Sequence, residues 1–177
     1  YKFELGGVPH ETCAGLVGMG TYMRVLSGAS GDHEQMAFHE PPPTREDVVV
    51  AFERIAALER EPQARLMAIL RALEDEGLIE IHGPRTADQS ARVPTAAFTP
   101  TARAASRDVE EVVAACRAWK IAARHGHVYA VRLLEDLGVN PTEGVVRISL
   151  AHYNTVDEVE RLGKALDEAL RGRAGDG

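Results

Sequence analysis

The sequence predicts an α+β fold, a single small sheet with helices packed against it. Two observations carry that expectation. From residue 44 onward the apolar spacing switches repeatedly between the helical period of 3.6 and the strand period of 2, in the order long helix, strand, strand, helix, strand, helix, strand, helix. The chain has 177 residues, 45% apolar and 27% charged, which suffices for one well-buried core and is ordinary for a globular protein.

Each element has its own justification. Residues 10 to 26, "HETCAGLVGMGTYMRVL", space Cys13, Leu16, Val17, Tyr22, Val25 and Leu26 for a helix, and the interspersed glycines suit close backbone packing. "SGASGDHEQMAFHEPPP" mixes small, charged and proline residues and reads as a loop. Thr44 with Asp47 forms a short capping box for the next helix. Val49, Phe52, Ile55 and Ala56 make its apolar stripe, continued by Leu66, Ile69, Leu70 and Leu73 beyond Pro62, where a kink or a break is expected. Gly77 ends the helix. "LIEIHG" and "RVPTAAFTP" are the first two strands, Pro94 suiting an edge or a strand start. Ser106 can cap a helix whose Val109, Val112, Val113 and Cys116 share a face. "WKIAAR" reads as the third strand, "YAVRLLEDLG" as a short helix ended by Gly138, and "GVVRISLAHY" as the fourth strand. Thr155 and Glu158 box the start of a last helix with Val159, Leu162, Leu166 and Leu170 on one side.

Charge and composition narrow the function. A net charge of −7, with only "RGR" locally basic, argues against a nucleic-acid partner, whose affinity rests on clustered Lys and Arg. No apolar run is long enough to cross a bilayer, so no membrane partner is expected. Cys13 and Cys116, far apart in apolar helical stretches, read as small buried hydrophobes of a reducing cytosol, and a cytoplasmic location follows. "YKFELGG" has neither a basic n-region nor an apolar h-region, and it lacks Met at position 1, as if cut from a longer chain.

The candidate chemistry is sparse. In "ARHGHVYAV", His125 and His127 on one extended segment would project to the same side as a metal pair does, but no third ligand is evident and a polar turn explains them as well. No G-x-S-x-G is present, and neither cysteine has a basic setting that would activate it. The glycines of "ELGGVP", placed before a helix, leave N–H groups that could hold an anion or simply make a turn. Arg147 stands between Val146 and Ile148, where a guanidinium either binds a carboxylate from a buried place or faces solvent on an edge strand. Residue type alone favours the solvent-facing reading.

Several stretches together resemble a known family. "YKFELGGVPHE", "RVPTAAF", "RHGHVYA" and "VVRISLAHYNTVDEVERL" resemble, in that order, the C-terminal part of class V aminotransferases, and especially the cysteine-desulfurase-like branch of the pyridoxal-phosphate (PLP) enzymes. The resemblance implies PLP-dependent fold type I, an α/β fold of which this chain is mainly the α+β C-terminal small domain. Residues 1–43 would be the end of the large PLP-binding domain and a connecting loop, 44–172 the small domain and 173–177 a disordered tail. It further implies a cytoplasmic homodimer with its active site at the subunit interface, a small-molecule amino-acid substrate, and cleavage at a Cα–N or Cβ–S bond. A PLP-dependent epimerase or C–S lyase of the same fold, or a non-catalytic interaction domain derived from it, are the alternatives.

Residue by residue, the arginine of the family's "R.SL..YNT" stretch matches Arg147 and would bind the substrate α-carboxylate, reversing the solvent-facing reading. Gly6 and Gly7 match a G-T pair that reaches the cofactor phosphate of the neighbouring subunit; with Gly7 in place of Thr, only backbone contact is implied. The desulfurase loop "R-T-G-H-H-C" aligns with Arg124, Gly126 and His127 and puts Tyr129 at the sulfur-accepting cysteine. A phenol cannot carry a persulfide, so Arg124, His127 and Tyr129 are expected to shape a substrate pocket. Lys2, Lys120 and Lys164 all lack the family's "S.HK" context for the Schiff-base lysine. The resemblance therefore implies no catalytic residue and no metal in this chain, which would be inactive alone, its PLP bound mainly by residues elsewhere.

Overall fold

The computed structural model describes residues 7, 9–29 and 41–172. Gly6, most of the proline-bounded loop and the expected disordered tail at 173–177 lie outside the described residues. The chain divides into two compact units, Tyr1–Ala57 and Leu58–Gly177.

The first unit holds α1 (His10–Ser27) and the start of α2 (Arg45–Asp75). α1 buries no side chain: Leu16 and Val17 are exposed, and so is Cys13, contrary to the expected buried thiol. The close packing expected of its glycines occurs at Gly20, where a Cβ would lie 3.0 Å from Pro43, whereas Gly15 and Gly18 border open space. α2 begins at the predicted box, the Asp47 N–H donating to Thr44 Oγ1 and the Thr44 N–H to Asp47 Oδ2. The predicted stripe fails at this end of the helix, since Val49 and Phe52 are exposed.

In the second unit α2 continues through Pro62 without interruption, so the expected break is absent. Proline removes one helical N–H, and the carbonyl that this frees belongs to Leu58, whose side chain is exposed on a wet turn. Beyond it Leu66, Leu70 and Leu73 are buried as the period predicts. Glu74 ties the helix end to the first strand, accepting the Ile81 N–H and a bidentate pair from Arg85. The Arg85 guanidinium, above all, holds the Glu74 carboxyl below its ordinary pKa.

Four strands follow: β1 (Ile79–His82), β2 (Thr95–Pro100), β3 (Arg124–Gly126) and β4 (Val145–Ser149), interleaved with α3 (Val109–Ala118), α4 (Val131–Asp136) and α5 (Val156–Arg171). They form one antiparallel sheet in the order β1-β2-β4-β3. Strand alternation sends Ile79, Ile81, Ala96, Phe98, Val146 and Ile148 to one face, where they join buried residues of α2, α3 and α5 in a single cluster. Phe98 and the α5 residues Leu166 and Leu170 are fully enclosed, each side chain stabilising the fold by about 1.5–3 kcal/mol.

Three predicted details change. "WKIAAR" is no strand: Trp119 caps α3, Lys120 takes a left-handed φ of 59°, and the Ile121 N–H returns to Cys116 O. The third strand begins at Arg124, inside the histidine loop. Asp108 rather than Ser106 caps α3, accepting the Glu110 N–H at 2.7 Å. The predicted capping box of α5 is present in full.

Candidate functional site

The sheet face turned away from the helices carries the polar residues of the strands. Val146 and Ile148 are buried on the helix-bearing side, so alternation turns Arg147 to the other. Its strand is flanked on both sides, by β2 and by β3, so Arg147 is not the edge-strand arginine that residue type alone favoured. On one side its Cα partner is Ala97, and on the other Arg124. Residues directly opposite in an antiparallel pair share a face, so one row across the sheet reads His82, Ala97, Arg147, Arg124.

Two cations thus stand side by side. Arg147 is half-buried, and its Nε is fully enclosed without a hydrogen-bond partner. Leaving such a donor unmet costs roughly 1–3 kcal/mol. Among the described residues the arginine–carboxylate ion pairs belong to Arg65, Arg85 and Arg171, and none reaches Arg124 or Arg147. Ala97 contributes only a methyl group beside Arg147, and the His82 imidazole is engaged with Thr99 Oγ1 at 3.0 Å. The arrangement leaves both guanidinium groups without a described carboxylate partner, and Arg is suited to a bidentate grip on carboxylate.

A glycine directly before β4 allows the close strand approach that brings the arginines together. Gly144 has φ 75° and lies so close to β3 that a Cβ would meet the Gly126 carbonyl carbon at 2.2 Å and its Cα at 2.4 Å. Gly126 itself has φ 104°. Only a residue without a side chain at position 144 permits this approach, which seats the three-residue strand β3 against β4; at Gly126 a Cβ would meet open space, and it is the positive φ that favours glycine there. The Gly144 N–H closes the preceding turn onto Asn140 O. The sequence reading missed Gly144; the signal available was the turn-forming "NPTEG" directly before a strand.

After β3 the chain turns sharply. Val128 and Tyr129 both adopt left-handed backbone, φ 44° and 62°, which a β-branched residue rarely accepts. The turn is held by Tyr129 N–H donating to His127 Nδ1 at 3.1 Å and Ala130 N–H donating to His127 O at 2.7 Å. Acceptance at Nδ1 puts the proton of the neutral ring on Nε2. The Tyr129 ring stands edge-on to His127 and is 99% exposed.

His125 and His127, whose spacing would suit a same-side pair, do not face one another. His125, opposite Val146, lies on the helix-bearing side in a cleft of about 450 Å³ with Arg107, Asp108, Glu110 and Glu143, while His127 belongs to the turn. Among the described residues no group of three His, Cys, Asp or Glu could hold a metal ion. Cys116 is fully buried, and burial pushes its thiol up to about 11, which makes it a poor nucleophile. Gly7 is exposed, with open space where a Cβ would stand.

The chain is similar to several known proteins. The aminotransferase-like protein FGM3 of Gibberella zeae is 35% identical over 119 residues, 67% of this chain and 28% of that protein. A probable cysteine desulfurase of Pseudomonas putida is 48% identical over 50 residues, 28% of this chain and 12% of that protein. The apo structure of cysteine desulfurase from Thermococcus onnurineus NA1 matches the fold with a TM-score of 0.58 at 24% identity, covering 77% of this chain and 34% of that one. The chain therefore spans about a third or less of the length of these relatives. Its fold is that of the PLP-dependent fold type I enzymes, represented here by an α+β domain with a four-stranded antiparallel sheet. A family model described as Aminotransferase class-V matches residues 49–162, and the chain belongs to that family.

Proposed function

We propose that this chain is the C-terminal, substrate-side portion of a PLP-dependent class V enzyme acting on an amino acid, with Arg147 holding the substrate α-carboxylate. The observation that carries the reading is the buried, partnerless Nε of Arg147 on an interior strand, on a guanidinium that stands directly across from Arg124. Arg124 is the cross-strand partner of Arg147, and His127 and Tyr129 follow it in the turn after β3. Tyr129 at the tip of the turn presents a phenol, so chemistry at Cα–N or lysis of Cβ–S without transfer of sulfur to this loop fits better than persulfide formation.

PLP, when bound, supplies an electron sink for a bond at the substrate Cα. The described residues fit a cofactor anchored elsewhere. Lys120 lies in the turn after α3 and Lys164 on α5, neither on the sheet face of Arg147, and both are exposed. Gly7, together with Gly6, would offer backbone N–H groups to the phosphate in the partner subunit of a homodimer. The work of this chain is then to bind and orient: the guanidinium fixes the carboxylate, and the strained turn fixes the outer wall. On this reading the 177 residues alone have no activity.

The test is borohydride reduction of the complete, cofactor-loaded protein followed by peptide mapping. The pyridoxyl-lysine is expected outside these 177 residues. A stoichiometric label on Lys2, Lys120 or Lys164 would overturn the reading.

A further inference from the structure

The geometry points to an amino-acid substrate with a second acidic group, an aspartate- or glutamate-like dianion. We infer that Arg124 receives that side-chain acid while Arg147 takes the α-carboxylate, so this inference rests on the function proposed above. One carboxylate would need only one fork of donors, yet the sheet presents two guanidinium groups as direct cross-strand partners. Cα atoms in such pairs stand about 4.5–5.5 Å apart, close enough for two acids of one small molecule to be met separately. Like charges placed directly opposite destabilise a sheet, and no described carboxylate relieves them here. Glu80, the acidic strand residue on this face, lies on β1, two strands or roughly 10 Å from β4, and in the field of Arg85. Ala97 on the other flank of Arg147 contributes only a methyl group and no acidic partner. Gly144, by its close approach to Gly126, admits the register that sets Arg124 opposite Arg147 rather than one residue to either side, where it would face the helices. The whole chain carries a net charge of −7, so a dianion gains attraction only where cations are placed locally.

The experiment compares acid and amide pairs of nearly equal shape in the complete, cofactor-loaded protein. L-aspartate is set against L-asparagine and L-glutamate against L-glutamine, with dissociation constants taken from the change in cofactor absorbance. At least one acid is expected to bind at least about tenfold tighter than its amide, the worth of one charge-assisted contact. Arg124→Gln, an exposed replacement, should cut that ratio to within about twofold by weakening the acid alone. Equal binding of acids and amides by the wild type overturns the inference. So does an Arg124→Gln variant that weakens acids and amides alike, the pattern of two arginines sharing one carboxylate. Arg147→Gln is the separate control: unchanged binding of all four amino acids would remove the α-carboxylate reading itself, whatever the acid-to-amide ratio.

Discussion

Gly144→Ala isolates the contact that holds β3 in register, and Gly138→Ala supplies its control. The two glycines share the same backbone region, φ 75° and 74°, so an alanine at either bears the same left-handed strain of about 1–2 kcal/mol. They differ in surroundings. A Cβ at Gly138 would meet nothing within 4 Å, whereas at Gly144 it would lie 2.2 Å from a backbone carbon of Gly126, a neighbour that cannot rotate aside. Overpacking of that kind adds typically 1–3 kcal/mol. Gly138→Ala should thus destabilise by about 1–2 kcal/mol and Gly144→Ala by roughly 2–5. Urea unfolding followed by the fluorescence of Trp119, whose Nε1 donates to Glu168 at 2.7 Å, measures both. Hydrogen exchange of the β3–β4 amides should rise in the Gly144 variant and not in the other. Equal losses in the two variants, or a Gly144→Ala cost under about 0.5 kcal/mol, would refute the close-approach argument.

Three further outcomes follow from burial, capping and pH. Of the two thiols, Cys13 should react rapidly with an alkylating reagent under native conditions and Cys116 only after unfolding, as peptide mapping of timed samples would show; prompt Cys116 labelling contradicts its burial. Thr155→Ala removes half of the α5 capping box and should lower stability by about 0.5–2 kcal/mol in denaturant titration, with Thr155→Ser largely preserving it. Glu158 is held below the ordinary glutamate value of 4.5, first by the Asn154 side chain and then by the Thr155 N–H, so its contribution is complete above that value and is lost as pH falls through the lower folded-state value. The acid limb of the wild-type stability curve should therefore be shallower in Glu158→Gln.

Much of the fold was legible because its signals are local. The Thr155–Glu158 box, the Gly77 and Gly138 helix ends and the buried spacing of Leu66, Leu70 and Leu73 are each written within a few residues. What failed depended on tertiary context. "WKIAAR" is apolar enough for a strand, and Ile121 and Ala123 do pack on the core, but burial is not pairing, and the turn at Lys120 redirects the chain before a ladder can begin. The exposed Cys13, Val49 and Phe52 show the converse, helical spacing without a covered face. For Arg147 the decisive fact was strand order, with β4 inside the sheet, and no local pattern encodes which strands become neighbours. The residues of the family stretch were readable as a sequence likeness, yet the facing of Arg124 and Arg147 and the contact of Gly126 with Gly144 emerge only from the register.

The central claim, that Arg147 binds the substrate carboxylate, is tested most directly by titrating amino acid against cofactor absorbance in the complete protein. Wild type is compared with Arg147→Ala and Arg147→Lys. Removing one member of a partly desolvated charge pair should weaken binding by roughly 2–4 kcal/mol, about 30- to 1000-fold, and lysine should recover little because it lacks the two parallel donors. Cofactor content should be the same in all three proteins. Affinities equal within about 0.5 kcal/mol, the range of an ordinary surface replacement, would contradict the account and leave the enclosed Nε without a ligand.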